Sequence, residues 1–183
     1  YRFEMERLFL VPPGAFNPAP KVESAVVRMT PRPRQALTAV DENMLEEVVK
    51  PILHETGHSK AAFAGCSFGA YHATNFGLRH PEVTGFIINM GGAFDIKGRV
   101  KGYYDDNVYF NNPPDYLPGL NDPRLKDIGM IFGTGTRDMC MEANVKLSDV
   151  LHSKGISHYL DIRPEAEHDW PVWREMFPKY IGL

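Results

Sequence analysis

The stretch Ala61-Ala62-Phe63-Ala64-Gly65-Cys66-Ser67-Phe68-Gly69-Ala70 decides how this chain is read. Its centre is a Gly-x-Ser-x-Gly pentapeptide, Gly65 to Gly69. It stands between an apolar run, Ala61 to Ala64, and an amphipathic run, Ala70 to His80. That context predicts a strand, a sharp turn and a helix in immediate succession. A serine on such a turn has its hydroxyl exposed and its neighbouring amides free at a helix N-terminus. The flanking glycines let the backbone turn without a Cβ clash. Cys66 is expected to point into the sheet as a small apolar residue, leaving Ser67 as the nucleophile.

A serine hydroxyl is a poor nucleophile and needs a base, which in turn needs a carboxylate to orient it. Both are found further along. Asp138 follows Gly129-Met130-Ile131-Phe132-Gly133-Thr134-Gly135-Thr136-Arg137, read as a short apolar strand running into a glycine-rich loop. His168 follows a strand-like stretch, Ile156 to Arg163, and then the loop Pro164-Glu165-Ala166-Glu167. Each candidate sits just past the C-terminal end of a strand, where open α/β sheets place their sites. Taken singly, Asp138 also reads as the N-cap of a helix beginning at Met139, and His168 as an ordinary loop histidine. In the order Ser67, Asp138, His168 they read together as a catalytic triad.

From about Val49 to Leu183 the chain resembles the esterase branch of the α/β-hydrolase family. The resemblance rests on Ala64-Gly65-Cys66-Ser67-Phe68-Gly69-Ala70-Tyr71-His72-Ala73, Asp106-Asn107-Val108-Tyr109-Phe110-Asn111 and Glu167-His168-Asp169-Trp170-Pro171-Val172-Trp173. It implies Ser67 as nucleophile, His168 as base and Asp138 as the orienting acid. The beginning of the chain is similar to a different family. The run from Phe9-Leu10-Val11-Pro12-Pro13-Gly14-Ala15-Phe16-Asn17-Pro18 to Val26-Val27-Arg28-Met29 resembles the late catalytic-domain segment of ribosomal RNA adenine dimethyltransferases, fading near Val48–Lys50. That family's glycine-rich S-adenosylmethionine loop and its Asn-Leu-Pro-Tyr-type motif do not occur in the 183 residues. Two resemblances in one chain imply a chimera, with residues 1–49 derived from a methyltransferase and residues 50–183 from a hydrolase.

At 183 residues and 43% apolar content, the chain is long enough for a full core and is expected to form a single domain. A net charge of −3 argues against a nucleic-acid or membrane surface. Residues 1–40 carry six Arg and Lys against three Glu, which reads as a solvated surface. Two cysteines, Cys66 and Cys140, make no disulfide framework. With no signal peptide or membrane-length apolar run visible, the cytoplasm is the default compartment.

Two extended segments, 3–11 and 22–29, flank the proline-rich run Pro12 to Pro20 and predict an antiparallel β-hairpin, closed by Pro31-Arg32-Pro33-Arg34. Asp41 reads as the N-cap of a helix that ends at Gly57. The expected fold is α/β, with a truncated, mainly parallel sheet built from strands near 60–65, 83–89, 128–133 and 156–162. The hairpin replaces lost strands at one side. Helices are expected over Met141 to Lys154, stopped by Gly155, and over Trp170 to Tyr180. Residues Phe94 to Lys126 form an irregular excursion whose aromatics, among them Tyr103, Tyr104, Tyr109, Phe110 and Tyr116, either line a pocket or pack the excursion down.

His54-Glu55-Thr56-Gly57-His58 matches the zinc-protease signature, which works because a helix holds both imidazoles on one face. Gly57 inside that turn and Pro51 just before it argue against metal, so neither a metal nor a cofactor is expected. The hydrolase resemblance also implies several strands before the nucleophile, one of whose loops donates an oxyanion-hole amide. Only about sixty residues precede Ser67 here, leaving the Phe68 amide as the one recognisable oxyanion donor. The expected function is a weak serine hydrolase of small carboxylic esters, with a catalytically silent chimera as the alternative. The expected partners are a small ester and, through residues 1–40, a second copy of the chain.

Overall fold

A computed structural model describes residues 3–11, 24–31 and 48–182, with side chains from residue 48 onward. The chain divides into two compact units, Tyr1–Val48 and Val49–Leu183, where length and composition pointed to one domain. In the first unit, β1 (Phe3–Val11) pairs antiparallel with β2 (Ser24–Pro31), from Phe3 opposite Pro31 to Val11 opposite Ser24, with a bulge between Arg7 and Phe9. Period-two alternation and β-branched residues make these strands. The expectation that the hairpin would extend the larger sheet is not met. β1 and β2 form a two-stranded sheet of their own, and the four-stranded sheet is built without them. Alternation specifies a strand locally, but only long-range pairing decides which sheet it joins. The Pro12–Pro20 connection, Arg32 to Arg34, the Asp41 cap and the start of its helix lie outside the described residues, as does much of the 1–40 surface expected to join two copies.

The second unit is a parallel four-stranded sheet in the order β3 (Ala61–Cys66), β4 (Thr84–Met90), β5 (Gly129–Arg137) and β6 (Tyr159–Glu167). Each strand neighbours the next in sequence, and helices make the crossovers: α2 (Phe68–Arg79) between β3 and β4, and α5 (Met141–Ser153) between β5 and β6. Two short helices, α3 (Asp106–Phe110) and α4 (Pro113–Tyr116), lie in the excursion after β4, and α6 (Trp170–Tyr180) follows β6. A first helix, α1 (Lys50–Thr56), leads into β3 and ends in the left-handed region at Gly57.

Both sheet faces are covered, and β4 shows why. Ile87 and Met90, three residues apart on a strand, point to opposite faces. Ile87 joins a core with Tyr71 and Leu78 of α2, Phe132 of β5, and Leu147 and Leu151 of α5. Met90 joins Trp173 and Met176 of α6, with Cys66 against them, so the thiol is packed among apolar residues of the sheet. Burial pushes its pKa up.

Two strand ends run further than the sequence suggests. The glycine-rich segment Gly133–Arg137 is strand and not loop, because β6 supplies its backbone with partners as far as Arg137 opposite Glu167, across a bulge. Pro164–Glu167 is accordingly strand too, while Ile156 to His158 precedes it. In the excursion, Tyr116 is buried and its hydroxyl donates to Asn75 Oδ1 at 3.0 Å, fastening that segment to α2. Tyr103, Tyr104 and Phe110 remain exposed.

Candidate active site

The C-terminal ends of the parallel strands lie side by side, and three of them present the residues singled out in the sequence. Ser67 occupies the turn between β3 and α2 with φ 53° and ψ −119°, a conformation that side-chain-bearing residues seldom adopt. Its amide is tied to Met90 O of β4 at 2.8 Å, and its carbonyl accepts from Tyr71 N at 3.2 Å. Gly65 is what allows the turn to close. A Cβ there would press on the Gly69 carbonyl and come within 2.6 Å of Ala70 N. Gly69, the other glycine of the pentapeptide, faces open space and is under no such demand.

Asp138 stands directly after β5, with its side chain only 2% exposed. Its Oδ1 accepts from the Cys140 amide at 2.7 Å, which fixes the carboxylate at the entrance to α5. His168 stands directly after β6. Its Nδ1 lies 2.7 Å from Asp138 Oδ1, and its Nε2 lies 2.8 Å from Ser67 Oγ. A carboxylate can only accept, so Nδ1 carries the imidazole hydrogen and Nε2 is left to accept from the serine hydroxyl. The indole of Trp173 meets the imidazole edge-on at 5.0 Å. Asp169, beside His168, caps α6 by accepting from Trp170 N at 2.7 Å. The Phe68 amide opens α2 and has no acceptor among the described residues, as a helix's first amides require.

Four contributors to the site were not legible beforehand. Gly91, at the end of β4, has φ 65°, and a Cβ there would lie 2.8 Å from Asp138 Oδ2 and 3.1 Å from His168 Nδ1. The absence of a side chain thus makes room for the acid–base pair. Asn144 of α5 accepts from Asn89 Nδ2 at 2.6 Å and donates to Gly92 O at 3.0 Å and Cys140 O at 2.8 Å. This buried network holds the Asp138 turn against β4. Trp173, edge-on to the imidazole, and Arg99, whose guanidinium lies 5.1 Å from the centre of the Phe68 ring, complete the four. Asn89 interrupts the apolar run Phe86-Ile87-Ile88 of β4, a signal in the sequence that a buried polar contact was needed.

Among the described residues, only Asp138, Cys140 and His168 bring three metal-ligand atoms together, within 4.8 Å of one another. Asp138 and His168 are already bound to each other. Burial, with Asp138 nearby, pushes the Cys140 thiol upward and disfavours the thiolate a metal needs. His54 and His58 lie outside this group. α1 ends at Thr56 and Gly57 turns the chain away, so the two imidazoles do not share a helical face.

No helix of the described residues is long and apolar enough to cross a membrane.

Residues 1–59 match the ribosomal RNA adenine dimethylase family, ten residues beyond the junction read at 49. The ribosomal RNA small subunit methyltransferase A of Aromatoleum aromaticum is 65% identical over 49 residues, covering 27% of this chain and 18% of the relative. That of Chromobacterium violaceum is 59% identical over 49 residues, covering 27% and 19%. The chain therefore spans about a fifth of the length of these curated relatives. Among solved structures, a ferulic acid esterase superposes with TM-score 0.62 at 19% identity, over 76% of this chain and 58% of that one. An S-formylglutathione hydrolase of Staphylococcus aureus gives 0.60 at 16%, over 86% and 70%. One of Agrobacterium tumefaciens gives 0.62 at 12%, over 86% and 71%. The chain thus joins a segment similar to ribosomal RNA adenine dimethylases to a body with the α/β-hydrolase fold.

Proposed function

We propose that the chain is a serine hydrolase of small carboxylic esters that works through an acyl-enzyme on Ser67. The observation that carries this reading is the unbroken line from Asp138 Oδ1 through both nitrogens of His168 to Ser67 Oγ, at 2.7 and 2.8 Å. Ser67 Oγ attacks the ester carbonyl carbon while His168 Nε2 takes the hydroxyl proton. Asp138 holds the imidazolium through Nδ1–H. The proton then passes to the departing alkoxide and the alcohol leaves. Water attacks the acyl-enzyme with His168 again taking a proton, and Ser67 recovers its hydroxyl as the carboxylic acid departs.

The rate is expected to be low. The Phe68 amide supplies one oxyanion donor, but the second, taken by α/β-hydrolases from an earlier strand's loop, has no counterpart among the described residues of Val49–Leu183, where α1 leads directly into β3. One missing donor costs roughly 3 kcal/mol of transition-state stabilisation, about a hundredfold or more in rate. The same gap favours a second reading, a folded but silent chimera. Methyl transfer is not supported, because the similarity to methyltransferases covers 18% of the first relative's length. A fluorophosphonate probe separates the two readings. Stoichiometric labelling that maps to Ser67 and disappears in Ser67→Ala supports the hydrolase, and refusal of the folded protein to label supports silence.

A further inference from the structure

Each of the three site residues is followed by an exposed apolar side chain. Phe68 after Ser67 is 40% exposed, Met139 after Asp138 is 84% exposed, and Trp170, two residues after His168, is 61% exposed. Arg99 brings a cation to this rim. The Arg99 guanidinium lies over the face of Phe68, 5.1 Å from the ring centre. It is also near enough to Cys140 to favour that residue's thiolate, against burial and Asp138. Cys140 Sγ in turn lies within 4.8 Å of the ligand atoms of Asp138 and His168. Arg99 is therefore placed between the residue after the nucleophile and the turn that carries the acid.

Its state of pairing matters. Lys97, two residues earlier, is bound by Asp115 at 2.9 Å, whereas Arg99 has no carboxylate partner among the described residues. A guanidinium stacked on an aromatic face uses its plane for that contact and keeps its edge N–H groups for a planar oxyanion, often in bidentate fashion. An apolar rim alone would suit any ester with a hydrocarbon body. The unpaired guanidinium adds a demand for negative charge on the same molecule.

We propose that Arg99 makes the site selective for esters whose acyl group bears a free carboxylate, that is, monoesters of dicarboxylic acids. This rests on the hydrolase reading for the ester, but the anion site is tested without turnover. The Ser67→Ala protein is titrated with the monoethyl esters of succinic, glutaric and adipic acid and with the corresponding neutral diethyl esters, following intrinsic tryptophan fluorescence or calorimetry. At least one monoester should bind about tenfold more tightly than its diester, the low end for a charge-assisted hydrogen bond. Arg99→Gln in the same background should bring that ratio close to one. Equal binding of every monoester and its diester overturns the proposal, as does a preference that survives Arg99→Gln. Turnover by the unsubstituted chain reports separately on the hydrolase reading. Hydrolysis without charge preference removes Arg99's role and leaves the hydrolase standing, while preferential binding without hydrolysis of any of the six esters does the reverse.

Discussion

The two units of the chain invert the usual relation between sequence likeness and chemistry. Tyr1–Val48 carries the close likeness, 65% identity to a methyltransferase over 49 residues, and its two described strands pair with each other. Val49–Leu183 holds Ser67, Asp138 and His168 in mutual hydrogen-bond reach, in a fold shared with solved structures at 12, 16 and 19% identity. A site of this kind needs three strand ends at fixed spacing and a glycine where the backbone must come close. Most surrounding residues can change while hydrophobic patterning is kept. Identity in the first unit reaches over only 18% of the relative's length. Geometry in the second bears on what this chain does.

The contrast breaks first, if it breaks, at Ser67. If the chemistry belongs to the second unit, Ser67→Ala abolishes fluorophosphonate labelling and ester turnover, and the label on the unsubstituted chain never maps to Ser24 of the hairpin. Replacing Asp138 by Asn leaves the shape intact but favours the wrong imidazole tautomer, so turnover should fall by about 10⁴-fold. Steady-state hydrolysis of 4-nitrophenyl acetate, with circular dichroism to confirm folding, checks both. Labelling at Ser24, or an Asp138→Asn protein that keeps its rate, places the activity outside this triad.

Gly65→Ala is expected to have the next largest effect, this time on stability. The new methyl must displace the backbone of Gly69 and Ala70, and backbone cannot swing aside as a side-chain tip can. The cost should be about 3 kcal/mol or more. Both tryptophans of the chain, Trp170 and Trp173, belong to α6 in the second unit, so fluorescence-monitored urea unfolding reads that unit without interference from the hairpin. Gly69→Ala, facing open space, serves as the control and should change stability by less than about 1 kcal/mol. Equal effects at the two glycines would show that Gly65 is not the pinch point of the turn.

These particular residues also show what the sequence could reveal. The elbow was legible because strand, turn and helix are contiguous, so Gly65 and Ser67 announce themselves within ten residues. Asp138 and His168 were legible because each follows a strand in the required order. The extent of β5 and β6 was not, since Thr134 to Arg137 become strand only through partners about thirty residues away. Nothing local to Gly91 announces the acid–base pair against its Cα, and nothing local to Arg99 announces the Phe68 ring beneath its guanidinium. The hairpin's strands were legible and its sheet was not. Contacts made across long sequence separations leave little local trace.

Asn144 tests one such contact. Asn144→Ala removes a partner from Asn89 Nδ2, Gly92 O and Cys140 O together, leaving a buried amide and two carbonyls to find other partners. We expect a loss of about 2 kcal/mol in the tryptophan-monitored transition, with a further fall in ester turnover as the Asp138 turn loosens. Loss of stability with unchanged turnover would show that the network supports the core alone.

The smallest expected effect is a pH dependence in the second unit. Burial raises the pKa of Asp161, but hydrogen bonds from the Tyr180 hydroxyl at 2.8 Å, Lys179 at 3.1 Å and Arg163 at 3.3 Å outweigh it, and the carboxyl is held below its ordinary value. A group depressed in the folded state stabilises that state above its unfolded pKa, near 3.9, and loses the contribution as pH falls through the folded value. Tyr180, pushed well upward by burial and by Asp161, stays protonated throughout this range. Acid should therefore weaken the unsubstituted protein more steeply than Asp161→Asn, whose side chain has no proton to gain. The gap between their urea midpoints, measured by tryptophan fluorescence, should narrow from about pH 5 to pH 2. Parallel curves across that interval would mean that the three donors hold Asp161 no better than water does, leaving the acid response of this unit to its other carboxylates.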